Sequence, residues 1–133
     1  MNITLIIYHK KPEKYFIQAM DEYIKRLSRY ANVRYSFIKK EEEFEKYRKK
    51  QSHVFVVKTG TSTLSSTDFS DTLHKLSLHG TSELSFSVGF EPEQYDETLF
   101  LSCQELSPSL TGVVLSEQIY RAYRILCNEP YHK

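Results

Sequence analysis

Glycine is scarce in this chain of 133 residues: Gly60, Gly80, Gly89 and Gly112 are the only four, and no two lie closer than nine residues. A dinucleotide fingerprint or a Walker loop needs clustered glycines that let backbone amides approach phosphate, so neither is present. Two cysteines, Cys103 and Cys127, are too few for a disulfide framework or a Cys-rich zinc site. The burial preference of free cysteine predicts that both thiols are buried or half-buried. Long apolar runs are also missing. The longest one near the start covers residues 3–8, too short for a signal-peptide core or a membrane span, and a cytoplasmic protein is expected. The histidines (His9, His53, His74, His79 and His132) lack metal-ligand spacing with a carboxylate or cysteine partner, so no metal is expected. No G-x-S-x-G elbow offers a serine nucleophile.

Lysine and arginine are absent from residues 76–120, and that gap organises the charge. The formal net charge is only +1, which argues against a grip on nucleic acid by bulk charge. The total hides a split: residues 1–50 carry a net +6 and residues 51–133 a net −5. The basic half, with the first helix and the cations of residues 46–50, is the expected phosphate-facing surface. The acidic side chains Glu91, Glu93, Asp96, Glu97 and Glu105 read as a solvated loop face. Hydrophobic residues at 40% and charged residues at 26% fit one soluble globular domain over residues 1–133.

Residues 3–8, 53–58 and 84–88 are apolar runs that read as buried strands, and Val33, Tyr35 and Phe37 alternate as in a half-exposed one. Residues 98–102 read as a fifth strand. Between the first two strands, Pro12 fits a first helical turn, and Tyr15, Phe16, Ala19, Met20, Tyr23, Ile24 and Leu27 follow at helical spacing. Residues 39–50 are a charge run, expected as a short solvated helix anchored by Phe44 and Tyr47. Ser65 with Asp68 resembles a capping box ahead of a helix that Gly80 closes. Glu91-Pro92-Glu93 opens a short turn or helix, Ser107-Pro108-Ser109 breaks the chain, and residues 113–127 form a last helix.

Strands alternating with helices predict an α/β fold with a mostly parallel sheet and helices on both faces. Ligands of such sheets sit beyond the carboxyl ends of the strands. That rule singles out Val57, Gly89, and the stretch Leu101, Ser102, Cys103, Gln104, Glu105, Leu106. The chain ends Glu129-Pro130-Tyr131-His132-Lys133, after Arg121 and Arg124. An aromatic ring, an imidazole and a cation in succession can stack on a base, shift a proton near neutral pH and meet a phosphate. A frayed tail is the plain alternative.

These residues carry a resemblance over the whole length. Met1-Asn2-Ile3-Thr4-Leu5-Ile6, Glu13-Lys14-Tyr15, Asp21-Glu22-Tyr23, Lys25-Arg26-Leu27 and the central Leu64-Ser65-Ser66 are similar to the ribosomal RNA large subunit methyltransferase H family. So, most specifically, are the residues from Val113 through Tyr123, with Ser116-Glu117-Gln118-Ile119-Tyr120-Arg121 at their centre, and the closing Pro130-Tyr131-His132-Lys133. The resemblance implies a SPOUT-type fold with a carboxyl-terminal trefoil knot and a homodimer. It implies an S-adenosylmethionine-dependent methyl transfer to N3 of a pseudouridine in 23S ribosomal RNA, on the large subunit or the assembled 70S ribosome. Val57, Gly89 and residues 101–106 would line the cofactor pocket. His132, or a water it holds, would take the N3 proton, Tyr131 would stack on or hydrogen-bond the base, and Arg121 would meet a phosphate. The tail would reach toward the partner's pocket.

The chain departs from the family in three places. Gly89 is followed by Phe90-Glu91-Pro92-Glu93 where a glycine pair, a small polar residue and another glycine are usual. The segment from Gly89 to Val113 is short, with Leu106-Ser107-Pro108-Ser109 in place of a Thr-x-Pro-His stretch and Gly112 in place of an arginine. The charged segment of residues 39–50 is cut down. Two readings follow: an active methyltransferase with a remodelled pocket, or a knotted dimer that methylates poorly or not at all and serves as an RNA- or ribosome-binding module.

Overall fold

The computed structural model describes residues 1–131. Five strands, β1 (Asn2–Tyr8), β2 (Asn32–Ile38), β3 (His53–Thr59), β4 (Glu83–Val88) and β5 (Glu97–Ser102), form one sheet in the order β2-β1-β4-β3-β5. Every neighbouring pair is parallel. The connections carry α1 (Lys14–Leu27), α2 (Phe44–Tyr47, preceded by the 3-10 turn Glu41–Glu43) and α3 (Ser66–Leu78), and α4 (Pro108–Leu126) follows β5. Among the described residues, no helix is long and apolar enough to cross a membrane.

Strand alternation decides what each face of the sheet buries. Leu84, Phe86 and Val88 of β4, with Ile3, Leu5 and Ile7 of β1, pack under α1, α3 and α4. The alternate positions face the other way. There Ile6, Ile38 and Val54 meet Phe44 of α2, with Tyr8, Tyr47 and Phe90 at the edge. That face also buries small polar side chains, each with a partner, as buried hydroxyls require: Ser85 donates to Ser52 Oγ at 3.0 Å and Ser87 to the Phe90 carbonyl at 2.8 Å. Helices thus cover both faces as expected, three on one and the short α2 on the other. Phe44 and Tyr47 are its anchors.

Helix α4 runs between α1 and α3 and buries Leu115, Ile119 and Ala122 completely. At Gly112 a Cβ would stand 2.8 Å from Ile7 Cδ1 and 2.9 Å from Met20 Sδ, so the missing side chain lets α4 lie this close to β1 and α1. Its start corrects the sequence reading. Ser107-Pro108-Ser109 does not break the chain; it opens α4 five residues before the predicted residue 113. Ser107 Oγ accepts the Leu110 N–H at 3.3 Å, and Pro108 occupies the first turn, where its missing N–H costs nothing. Loss of that cap in Ser107→Ala should lower the unfolding free energy by about 1 kcal/mol, measured by urea denaturation.

Three smaller expectations also change. Pro12 precedes α1 rather than entering its first turn, because Glu13 is the N-cap. Residues 91–93 form no helix. Both cysteines are exposed, Cys103 in the loop after β5 and Cys127 at the end of α4, because neither lies on an apolar stripe. At α3 the expectations hold. Ser65 Oγ accepts the Asp68 N–H at 3.1 Å, and Gly80 (φ +87°) closes the helix with the Gly80 N–H donating to the Ser77 carbonyl and the Thr81 N–H to that of Leu76.

Candidate functional site

The carboxyl ends of β3 and β4, the loop after β5 and the first turn of α4 surround a cavity of about 400 Å³. That volume is within the range of small-ligand and cofactor sites. Val57, Gly89, Leu101, Ser102, Gln104, Glu105 and Leu106 all line it, as the strand-end rule predicts. Cys103 does not; it points to solvent within the same loop. Ser102 Oγ accepts the Gln104 N–H at 3.0 Å and fixes how that loop leaves the strand. Pro108 and Thr111 complete the wall from α4. They are missed when the helix is started at residue 113, although the Ser-Pro pair is itself a helix-start signal.

Gly89 is the tightest point of the wall. Its φ is +90°, and a Cβ there would stand 3.0 Å from Pro108 Cγ and 3.1 Å from the Tyr8 carbonyl oxygen. The chain therefore needs glycine both for the backbone conformation and for the approach of α4 to β1. Phe90 lines the cavity beside Gly89 and reaches the face of the sheet that α2 covers. Its ring packs edge-on against Phe44 and Tyr8, with centroids 5.4 and 6.0 Å away. Glu91 then crosses to Lys58 at 2.9 Å, pinning the β4 loop to the end of β3. That bond holds the Lys58 ammonium above its ordinary pKa and the Glu91 carboxyl below its own.

The lining suits a cationic nucleoside-like ligand. Val56, Val57, Leu101, Leu106 and Pro108 offer apolar surface for a flat ring, and Thr59, Ser102, Gln104 and Thr111 offer hydrogen-bonding groups. Glu105 supplies a carboxylate that complements positive charge, while Glu91 is paired with Lys58, which also lines the cavity.

A second cluster centres on Glu117, midway along α4. Glu117 Oε1 accepts from Arg121 Nε and NH2 at 3.0 and 2.6 Å and from the Tyr131 hydroxyl at 3.0 Å. The Arg121 guanidinium lies over the Tyr131 ring, 4.8 Å from its centroid, and the ring edge packs against Tyr120. Arg121 and Tyr131 are thus brought together, and Glu117, which sequence reasoning missed as a site residue, joins them. The i,i+4 spacing of Glu117 and Arg121 was the available signal. His132 lies outside the described residues. The tail leading to it is tied down: Glu129 takes bonds from Tyr30 and Arg124, each at 2.7 Å, and Arg124 also donates to the Pro130 carbonyl at 3.1 Å.

Burial first, and then the hydrogen bond to Glu117, push the Tyr131 phenol up to about 12; burial and Asp21 do the same to Tyr35. Above pH 10 the unfolded chain loses these phenolic protons while the folded chain keeps them, so stability falls as pH rises. The contribution is complete below pH 10 and is lost on the way to about 12. Urea unfolding followed by circular dichroism should show that decline, and the Tyr35→Phe/Tyr131→Phe double variant should flatten it. Burial also raises the Tyr30 and Tyr123 phenols, so part of the decline will remain.

The two clusters lie on successive stretches of α4: Thr111 of the cavity wall and Glu117 are about 9 Å apart along the axis. From Pro108 to Arg121 along α4 is about 20 Å at the helical rise per residue.

Comparison with known proteins agrees with the arrangement. Residues 1–132 match the family described as "Predicted SPOUT methyltransferase". A protein named ribosomal RNA large subunit methyltransferase H 1, from Thermoanaerobacter sp. (strain X514), is 32% identical over 133 residues, with both chains covered completely. Proteins named ribosomal RNA large subunit methyltransferase H from Enterococcus faecalis (strain ATCC 700802 / V583) and Clostridium botulinum (strain Kyoto / Type A2) are 34% and 35% identical, again over the whole of both chains. Those two alignments run over 159 positions, 26 more than this chain has residues, whereas the Thermoanaerobacter alignment spans 133. The shortened form is therefore shared with at least one relative. With a family match over nearly the entire chain and relatives above 30% identity at full coverage, the chain belongs to the SPOUT methyltransferases, in the ribosomal RNA large subunit methyltransferase H family.

Proposed function

We propose that this chain is an S-adenosylmethionine-dependent methyltransferase that modifies N3 of a pseudouridine in 23S ribosomal RNA, on the large subunit or the assembled 70S ribosome. One observation carries the reading: the loop after β4 departs from the family pattern, and yet the cavity at the strand ends stays open, with apolar, polar and acidic walls in place. Phe90 packs its ring on Phe44 and Tyr8 and forms part of the cavity wall, and the cavity of about 400 Å³ remains open beside it. This favours the enzyme over a binding module that has lost its pocket.

When bound, S-adenosylmethionine supplies a methyl group already activated on a sulfonium sulfur. The chain's own residues then have two roles. The first is to hold and orient: Val57, Leu101 and Leu106 would flank the ring system, Ser102 and Gln104 would fix polar groups, Gly89 would keep the wall close, and Glu105 would favour positive charge. Positioning of this kind can supply most of the acceleration when the electrophile needs no further activation. The second role is to accept the N3 proton, and we assign it to His132 or a water it holds. Tyr131 would stack on or hydrogen-bond the base and Arg121 would meet a phosphate, as the resemblance implies. One ring face and the hydroxyl of Tyr131 are also engaged on its own chain, so it anchors the tail, and Arg121 braces it.

Two protomers are needed for this chemistry. In a homodimer, each tail would reach the partner's cavity and bring proton acceptor and cofactor together. The carboxyl-terminal trefoil knot and a cytoplasmic location belong to the same reading. The basic first half of the chain would meet the ribosomal phosphates. Isothermal calorimetry with S-adenosylmethionine and S-adenosylhomocysteine tests the pocket: micromolar binding of either is the expected result, and absence of binding by a folded dimer would favour the binding module.

A further inference from the structure

We propose that Glu117 is the positioning residue of the carboxyl-terminal tail, its carboxylate locking Tyr131 and Arg121 into one unit that holds the chain at Tyr131 against α4. The inference rests on the function proposed above and extends it to a residue outside the cavity and outside the tail itself.

The bonding around Glu117 is more than an i,i+4 ion pair. Oε1 takes the two Arg121 bonds and the Tyr131 hydroxyl, and Oε2 accepts from Gln118 Nε2 at 2.6 Å. Oε1 is thus fully engaged, while Oε2 carries one bond. Gln118 is fixed in turn, because its Oε1 accepts the Ser66 hydroxyl at 2.6 Å. That bond has one sense only: an amide oxygen cannot donate, so Ser66 must. The amide NH2 is then directed at Glu117 and no other orientation of Gln118 serves both partners. Ser66 opens α3, so the Leu64-Ser65-Ser66 stretch steadies the carboxylate from a second helix.

Burial makes these bonds count. The Glu117 side chain is 17% exposed and that of Arg121 26%, so the pair is poorly hydrated and its charge-assisted bonds are strong. An exposed ion pair would need neither the Tyr131 hydroxyl nor the Gln118 amide. With the guanidinium on one face of the ring and Tyr120 at its edge, Tyr131 has its position set from three sides. The next residue in the chain is His132.

The test uses the full-length protein with a single fluorotyrosine at position 131, in wild-type, Glu117→Gln and Glu117→Ala forms. Three quantities are read: methyl transfer to ribosomes lacking the modification, S-adenosylmethionine affinity by calorimetry, and the fluorine resonance of the ring. Glu117→Ala should lower kcat by about 100-fold, the scale of loss for a reacting group misplaced by an ångström, with cofactor affinity unchanged. The fluorine signal should move to the position of a solvent-exposed tyrosine. Glu117→Gln keeps one carbonyl acceptor, so it should recover part of kcat and part of the signal; it also serves if the alanine variant does not fold. Wild-type kcat in Glu117→Ala, or an unmoved ring signal, would overturn the proposal. If the wild-type protein itself transfers no methyl group, the proposed function fails, and the fluorine signal alone then decides whether Glu117 holds the tail.

Discussion

Gly89→Ala should lower the unfolding free energy by about 2–4 kcal/mol and weaken S-adenosylmethionine binding in the same variant. Two costs add. An L-residue at φ +90° is strained, and the new methyl group would meet the Tyr8 carbonyl at 3.1 Å and Pro108 at 3.0 Å. Neither neighbour can give way easily, since one is backbone in β1 and the other is the rigid first turn of α4. Gly80→Ala is the matched control. Its φ is +87°, nearly the same, but nothing lies within 4 Å of the added carbon. Strain alone predicts a loss of about 1–2 kcal/mol there, without effect on the cofactor. The difference between the two variants in urea denaturation therefore measures the closeness of β1 and α4 at the cavity wall. Equal losses would mean that the wall is looser than the structure has it.

His132→Ala should lower turnover by about 10²–10⁴-fold, the usual worth of a positioned general base, while leaving cofactor affinity unchanged. The split follows from the proposed roles: the proton acceptor acts on the base, while the residues of the cavity hold the cofactor. Tyr131→Phe removes only the bond to Glu117 and keeps the packing on Tyr120 and Arg121, so its effect should be smaller. Methyl-transfer kinetics on ribosomes lacking the modification check both. Unchanged turnover in His132→Ala would remove the imidazole from the mechanism.

The sheet was legible because its signals are local. Alternation in β2 and the apolar runs of β1, β3 and β4 follow from which faces are buried, and the strand-end rule then places Val57, Gly89 and the loop after β5 on one cavity. What could not be read depends on contacts between residues distant in the chain. A proline is a stop signal in one context and a start signal in another, and at Pro108 only the Ser107 cap and the closeness of Gly89 decide. Gly112 reads as a poor helix residue until Ile7 and Met20 are seen against it. Phe90 reads as a damaged glycine loop until its ring is found between Phe44 and Tyr8. Glu117 reads as a solvated helix charge, because its partner Tyr131 is 14 residues away and the Ser66 that steadies it through Gln118 lies on another helix.

The most direct measurement is methyl incorporation into ribosomes that lack the modification, using S-adenosylmethionine labelled in its methyl group. Label is expected in 23S ribosomal RNA, on N3 of a pseudouridine, with loss of most of that label in His132→Ala and Glu117→Ala. A folded dimer that binds the ribosome and leaves its RNA unlabelled would contradict the proposed function.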